Sequence, residues 1–288
     1  MISPRFGCLL PQDELNVNRI FEVARDCESL GYDSLWAYDH LTPYWLASQT
    51  CLESWTLLSA VAANTSKIKI GTLVTNVNFR NPALLAKMTT TVDNISRGRL
   101  IVGLGIGDRM SVRELKSYGY DFPRLEERTC LLRETITILR AMWSGKEVSL
   151  TGKMANISNA ICLPKPAQQN GPPIWIGGRN RALLTVVAEL ADGWNYWGLP
   201  VQKVREREKH LLEMCRHFNR NPDGVIESWA GTLTIPRGSG SKVAENMRAE
   251  LTSQIGRKTN YFIASFPPGT DRKAYEGFAE AARSTRLE

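Results

Sequence analysis

The 288-residue chain lacks several features that would narrow its function at once. No apolar window approaches the ~18 residues of a membrane span, so no membrane partner is expected. The first residues, MISPRFGCLLPQ, lack a charged start followed by a long apolar run, so no secretory leader is read there. Six cysteines, Cys8, Cys27, Cys51, Cys130, Cys162 and Cys215, show no CxxC or other ligand spacing. They read as scattered small core residues in a reducing, cytoplasmic compartment, and no metal centre is expected. Histidine is scarce, with three in the chain. There is also no block of like charge. The formal net charge of +7 is spread along the sequence, and the densest basic stretch, Lys203 to Arg220, is interleaved with Glu206, Glu208 and Glu213. Such interleaving makes a solvated helix face, and no nucleic-acid partner is expected.

With 43% apolar and 23% charged residues, the chain resembles an ordinary globular protein with a large core. One alternation recurs from end to end, and no linker interrupts it. Strand-like Arg5 to Leu10 precedes a helical pattern over Val17 to Leu30, with Ile20, Val23, Ala24 and Cys27 on one side. Ser34 to Ala37 precedes a helix at Glu53 to Ala63, and Lys67 to Val74 precedes one at Pro82 to Ile95, with Pro82 in the first turn. Leu100 to Leu104 is the fourth strand. A longer insertion follows, with a short segment at Val112 to Tyr118, a helix at Leu125 to Trp143 and a hairpin near Val148 to Ile157. Ile174 to Ile176 with Ala182 to Leu190, Gly193 to Tyr196 with the basic helix, Ile226 to Ile235 with Val243 to Ile255, and Tyr261 to Ala264 with Arg272 to Arg283 complete eight pairs. Eight short apolar strands joined by helices predict a (β/α)₈ TIM barrel as a single domain over 1–288, with an insertion between strands four and five. A doubly wound open sheet is the alternative.

The unusual residues cluster just past the strand ends, where barrel enzymes place their chemistry. Asp39 and His40 follow the second strand, with Tyr44 and Trp45 close behind. An imidazole can give or take a proton near neutral pH, although an Asp-His pair also serves structure. After the third strand, Thr75, Asn76, Asn78 and Arg80 are donors and acceptors suited to a heterocycle's edge; equally, they suit a loop in which Asn81 caps the next helix. GLGIGD places Gly103, Gly105 and Gly107 at every second position, letting backbone approach a flat ligand, with Asp108 at the mouth. It is not the spaced GxGxxG of dinucleotide domains. In IWIGGR, Gly177 and Gly178 form a strand-to-helix turn whose amides can hold a phosphate, aided by Arg179.

Taken in order, LGYDSLWAYDH, ESWTLLSAVAANT, KIKIGTLVTN with FRNPALLAK, SRGRLIVGLGIGD, and PPIWIGGRN followed by LADGWN resemble the luciferase-like monooxygenase superfamily. Within it they are similar to the branch that uses the deazaflavin F420, including methylenetetrahydromethanopterin reductases and F420-dependent glucose-6-phosphate dehydrogenases. The resemblance implies a TIM barrel with the ring across the strands' carboxyl ends, Asp39 beside it and His40 as the proton-exchanging group. Trp45 would supply an aromatic wall and Asp108, where several members carry Glu, a proton donor. A non-proline cis peptide at Leu73-Val74 would form a bulge under the ring, beside Thr75 and Asn76. Gly105 and Gly107 would border the ring, and Gly177, Gly178 and Arg179 would hold the phosphate. A homodimer is implied, with its face on helices near strands two to four, as is a small-molecule substrate. The stretch between Pro236 and Tyr261, with GSGS at 238–241, is shorter than in most members. The expected activity is hydride transfer between F420 and a small organic substrate. The alternatives are an FMN-dependent monooxygenase using reduced flavin and O₂, and a non-catalytic flavin-binding or assembly protein.

Overall fold

The computed structural model describes residues 4–14, 16–43, 50–232, 245, 259–267 and 269–284. In chain order the elements are β1 (Arg5–Leu9), α1 (Val17–Ser29), β2 (Ser34–Ala37), α2 (Ser54–Asn64), β3 (Lys69–Thr72), β4 (Thr75–Asn76), α3 (Pro82–Ser96) and β5 (Leu100–Gly105). They continue with α4 (Ser111–Ser117), α5 (Leu125–Trp143), β6 (Val148–Thr151), β7 (Asn156–Ala160), β8 (Ile174–Gly177), α6 (Arg181–Leu190) and β9 (Gly193–Trp197). Then follow α7 (Val201–His217), β10 (Ile226–Thr232), β11 (Tyr261–Ser265) and α8 (Arg272–Ser284). The expected strand over 233–235 and helix over 243–255 lie largely outside the described residues, as does most of the compressed stretch after Pro236.

The sheet closes as predicted. β1 pairs in parallel with both β2 and β11, Cys8 standing opposite Leu35 on one side and Ala264 on the other. The circuit continues through β3, β5, β8, β9 and β10 back to β11. Two apolar layers result from the alternation of side chains across each strand. The outer layer packs strands against helices, as where Val23, Ala24 and Cys27 of α1 meet Phe6 and Cys8 of β1. The inner layer fills the barrel with Trp36, Ile101, Trp175, Tyr261 and Ile263. It is unusually aromatic: Trp36 and Trp175 lie 5.0 Å apart by ring centroid, and Tyr261 meets Trp175 edge-on at 5.2 Å. Glycine makes the room, since a Cβ on Gly71 would stand 2.6 Å from the Trp36 ring.

Helix starts follow their capping chemistry. Asn81 Oδ1 accepts from Ala83 N and Leu84 N ahead of Pro82, and Asn180 Oδ1 accepts from Leu183 N at 2.8 Å. The third strand ends at Thr72, short of the expected Val74, but the Leu73-Val74 peptide is cis as the resemblance implies, and pairing with β5 resumes at Thr75 and Asn76. The break turns Val74 over its neighbours, which sets the geometry of the cavity above.

Candidate active site

A cavity of about 420 Å³ opens over the carboxyl ends of the strands. Its floor is nearly free of side chains. A Cβ on Gly105 would lie 2.5 Å from Val74 Cγ2, and one on Gly177 2.8 Å from Val74 Cγ1, so Val74 occupies the space that β5 and β8 leave by carrying glycine there. Leu73, Val74, Gly105, Gly107 and Gly177 all line the cavity. Glycine on two strands beside Val74 leaves room there for the face of a planar ring.

Asp39 also lines the cavity, but its fully buried carboxylate is committed to protein. Arg80 donates to it twice, at 2.6 and 2.9 Å, Ser54 Oγ donates at 2.7 Å, and the amide of Asn76 donates at 3.0 Å. Arg80 donates further to Glu53, the N-cap of α2. This knot ties the Val74 bulge to α2. Burial pushes the Glu53 carboxyl up, but hydrogen bonds from Thr56 and Trp55 and the Arg80 charge outweigh it and leave the group below the usual range.

His40 reaches across to the insertion. Its Nδ1 lies 2.9 Å from Glu114 Oε2 on α4, and that side chain is 4% exposed. The other Glu114 oxygen accepts from the amides of Leu41 and Thr42, the latter at 2.8 Å. Burial raises the Glu114 carboxyl, whereas the hydrogen bond and charge of His40 and the two amides lower it further, for a net position below the usual range. Asp108 stands at the rim with one oxygen accepting from the amides of Met110 and Ser111, at 2.9 and 3.1 Å. Arg128 of α5 holds the insertion: its guanidinium donates to the carbonyls of Ile106 and Gly107, both at 2.8 Å, and of Pro123 at 3.0 Å.

Across the cavity, Gly178 adopts φ +146 as the chain turns from β8 into α6. Gly178, Arg179 and Asn180 line this wall at the start of the helix, and the Gly178 amide donates to the Asn195 carbonyl at 3.0 Å. Asn195 of β9 lines it too, anchored by Nδ2 to Ser228 Oγ at 2.9 Å.

Three expectations need correction or restriction. Thr75 is not at the cavity: its hydroxyl is fully buried, accepting from Trp55 Nε1 at 3.1 Å and donating to Thr72 Oγ1 at 2.9 Å, because the bulge turns it into the wall. Of the polar run around it, Asn76 lines the cavity, whereas Arg80 serves Asp39 and Asn78 donates to Asn76 Oδ1 and the Ile106 carbonyl. Trp45 lies outside the described residues. Sequence reasoning missed Asn195, which lines the cavity, and Glu114. The latter sits inside a short amphipathic helix 74 positions from His40, and Asp108, ending the glycine run, drew the expectation of an acid instead.

The fold is an eight-stranded parallel α/β barrel with a cavity over the carboxyl ends of its strands. The luciferase-like monooxygenase family model matches residues 1–287, and the chain belongs to that family. Among curated proteins it is similar to an F420-dependent glucose-6-phosphate dehydrogenase of Microbacterium testaceum, at 28% identity over 67% of this chain and 56% of the relative. The chain thus matches little more than half the length of such relatives. Among solved structures, an F420-dependent secondary alcohol dehydrogenase in complex with an F420-acetone adduct superposes with a TM-score of 0.88 at 18% identity, covering 99% of this chain and 100% of that one. The coenzyme F420 dependent tetrahydromethanopterin reductase of Methanopyrus kandleri gives 0.80 at 18% identity, over 96% and 98%. At these identities the two structures establish the shared fold.

Proposed function

We propose that this protein is an F420-dependent oxidoreductase acting on a small organic substrate. The observation that carries the reading is the conjunction, in one cavity, of a bed where Val74 lies against Gly105 and Gly177, a strand-to-helix turn at Gly178 and Arg179, and an imidazole at His40. The bed fits a planar tricycle, and the helix start with Arg179 fits an anionic tail. The curated relatives, F420-dependent by name, support the same cofactor.

Bound there, F420 would supply the redox chemistry, giving or taking a hydride at C5 of its ring. The chain's own residues do the rest. Val74 and the glycines would seat the ring, while Arg179 and the start of α6 would hold the phosphate. Asn76 and Asn195 would offer it polar contacts, and Asp39 keeps the bulge in place through Asn76 and Arg80. His40 receives or returns the proton of the substrate's oxygen. Asp108 adds a carboxylate at the rim. The protein also assembles as a homodimer in this reading. Leu84 on α3 and Ile161 and Leu163 beside it are large apolar side chains left more than half exposed.

The test is a fluorescence titration of the purified protein with oxidised F420 and, in parallel, FMN. Tighter binding of F420 is the expected result. Preference for FMN would move the protein to the oxygen-using flavin branch, and failure to bind either would overturn the cofactor assignment.

A further inference from the structure

Glu114 makes contacts that constrain where hydrogen can be on His40. Its Oε1 faces the amides of Leu41 and Thr42, and an amide N–H can only donate. Its Oε2 lies 2.9 Å from His40 Nδ1. A carboxylate accepts and does not donate, so the proton between them belongs to the imidazole. The depression of the Glu114 carboxyl below its usual range is consistent with an ionised acid there.

We propose that Glu114 is the positioning residue that fixes His40 as its Nδ1–H tautomer, so that Nε2 is the nitrogen that takes the substrate's proton. The activity part of this proposal rests on the proposed function; the tautomer part does not. Tyr38 packs against the imidazole with ring centroids 5.9 Å apart, and the Cys51 thiol donates to the His40 carbonyl at 3.2 Å. The adjacent Asp39 carboxylate is taken up by Arg80, and Asp108 caps the start of α4. In oxidation of a hydroxyl-bearing substrate, the O–H bond breaks and an Nε2–H bond forms, while the carbinol hydride passes to the deazaflavin. The resulting imidazolium is doubly protonated and keeps its Nδ1–H on the Glu114 carboxylate. In the reverse direction the same nitrogen returns the proton. Glu114 itself need not change protonation state.

Glu114→Gln gives a sharp test, because the two backbone amides dictate how the new side chain must turn. Its amide oxygen has to face the Leu41 and Thr42 donors, leaving its NH₂ toward His40 Nδ1. That nitrogen must then accept, and the imidazole proton moves to Nε2. With three histidines in the chain, His40, His210 and His217, long-range ¹H–¹⁵N spectra of the full-length protein without cofactor can resolve each ring. A His40→Gln spectrum assigns the signals. At a pH above which the ring shifts no longer change, the neutral tautomer is read directly.

The wild type is expected to show a protonated Nδ1 and a bare Nε2 at His40, and E114Q the inverse, with His210 and His217 unmoved. In turnover, E114Q should lower kcat for substrate oxidation by about 100-fold, at the lower end of the usual worth of a general base, with the F420 dissociation constant unchanged. A wild-type His40 protonated at Nε2 overturns the proposal without any variant. So does an E114Q protein that keeps the wild-type tautomer. A protein that shows the expected tautomers but fails to bind F420 retains the positioning role and loses the proposed function instead.

Discussion

Replacing Asp39 by alanine should cost stability before it costs chemistry. The carboxylate is wholly buried beside an Arg80 side chain that is 9% exposed, and it accepts from two guanidinium nitrogens, Ser54 Oγ and the Asn76 amide. Breaking a buried ion pair by removing one partner costs roughly 3–5 kcal/mol. Glu53 still meets Arg80 at 2.6 Å, which puts this loss near the lower end. The Asn76 amide, however, loses its acceptor inside the wall, adding about 1–3 kcal/mol. The sum is on the order of 4–5 kcal/mol, a fall in Tm of about 10 °C for a chain of this size. Asp39→Asn keeps an acceptor for the amide but gives up the charge and sets an NH₂ against the Ser54 and Arg80 donors, so it should fall between the alanine variant and the wild type. Chemical denaturation followed by tryptophan fluorescence measures both. A D39A protein with the wild-type midpoint and m-value that fails only to bind F420 would refute the reasoning and return Asp39 to direct ligand contact.

Acid should weaken the fold in a defined window. Glu53 and Glu114 are held below the usual carboxylate range by the hydrogen bonds and charges around them, despite burial. Their contribution is therefore complete above the unfolded value of ~4.3 and is lost as pH falls through the lower folded values. Tm is expected to be flat from about pH 7 to 5 and to decline below about 4.3; a decline that is already complete by pH 5 would contradict it. Arg179→Ala should leave Tm unchanged and weaken F420 roughly tenfold or more, the usual worth of a charge-assisted hydrogen bond. The comparison ligand is the same deazaflavin lacking its phosphate and glutamate tail. An equal loss for both would show that Arg179 does not act on the tail.

The barrel was legible because each strand and helix obeys a local rule. Leu125–Trp143 falls where its periodicity predicts, and Asn81 and Asn180 cap helices as their position suggests. The glycines at 105, 177 and 178 also lie where the motifs put them, on the cavity wall. What the sequence concealed are the consequences of tertiary direction. Lys67 to Val74 reads as one strand, and only the resemblance implies the bulge at Leu73-Val74, where Val74 lies against glycines of β5 and β8. That bulge in turn sends Thr75 inward and leaves Asn76 at the cavity. Arg80 looked like a ligand contact because its partners, Asp39 and Glu53, are far apart in sequence. Glu114 was hidden for the same reason: no local pattern marks a helix acid whose partner lies on another loop.

The clamp made by Arg128 has an evolutionary consequence. It gathers the carbonyls of Ile106, Gly107 and Pro123 onto one guanidinium, so residues 106–123 leave and rejoin the barrel at nearly the same point. The ring bed belongs to the strands, while the acid that governs the histidine rides on this excursion. A lineage could therefore exchange the whole excursion, altering the acid beside the histidine and one side of the cavity, and keep the strands beneath it.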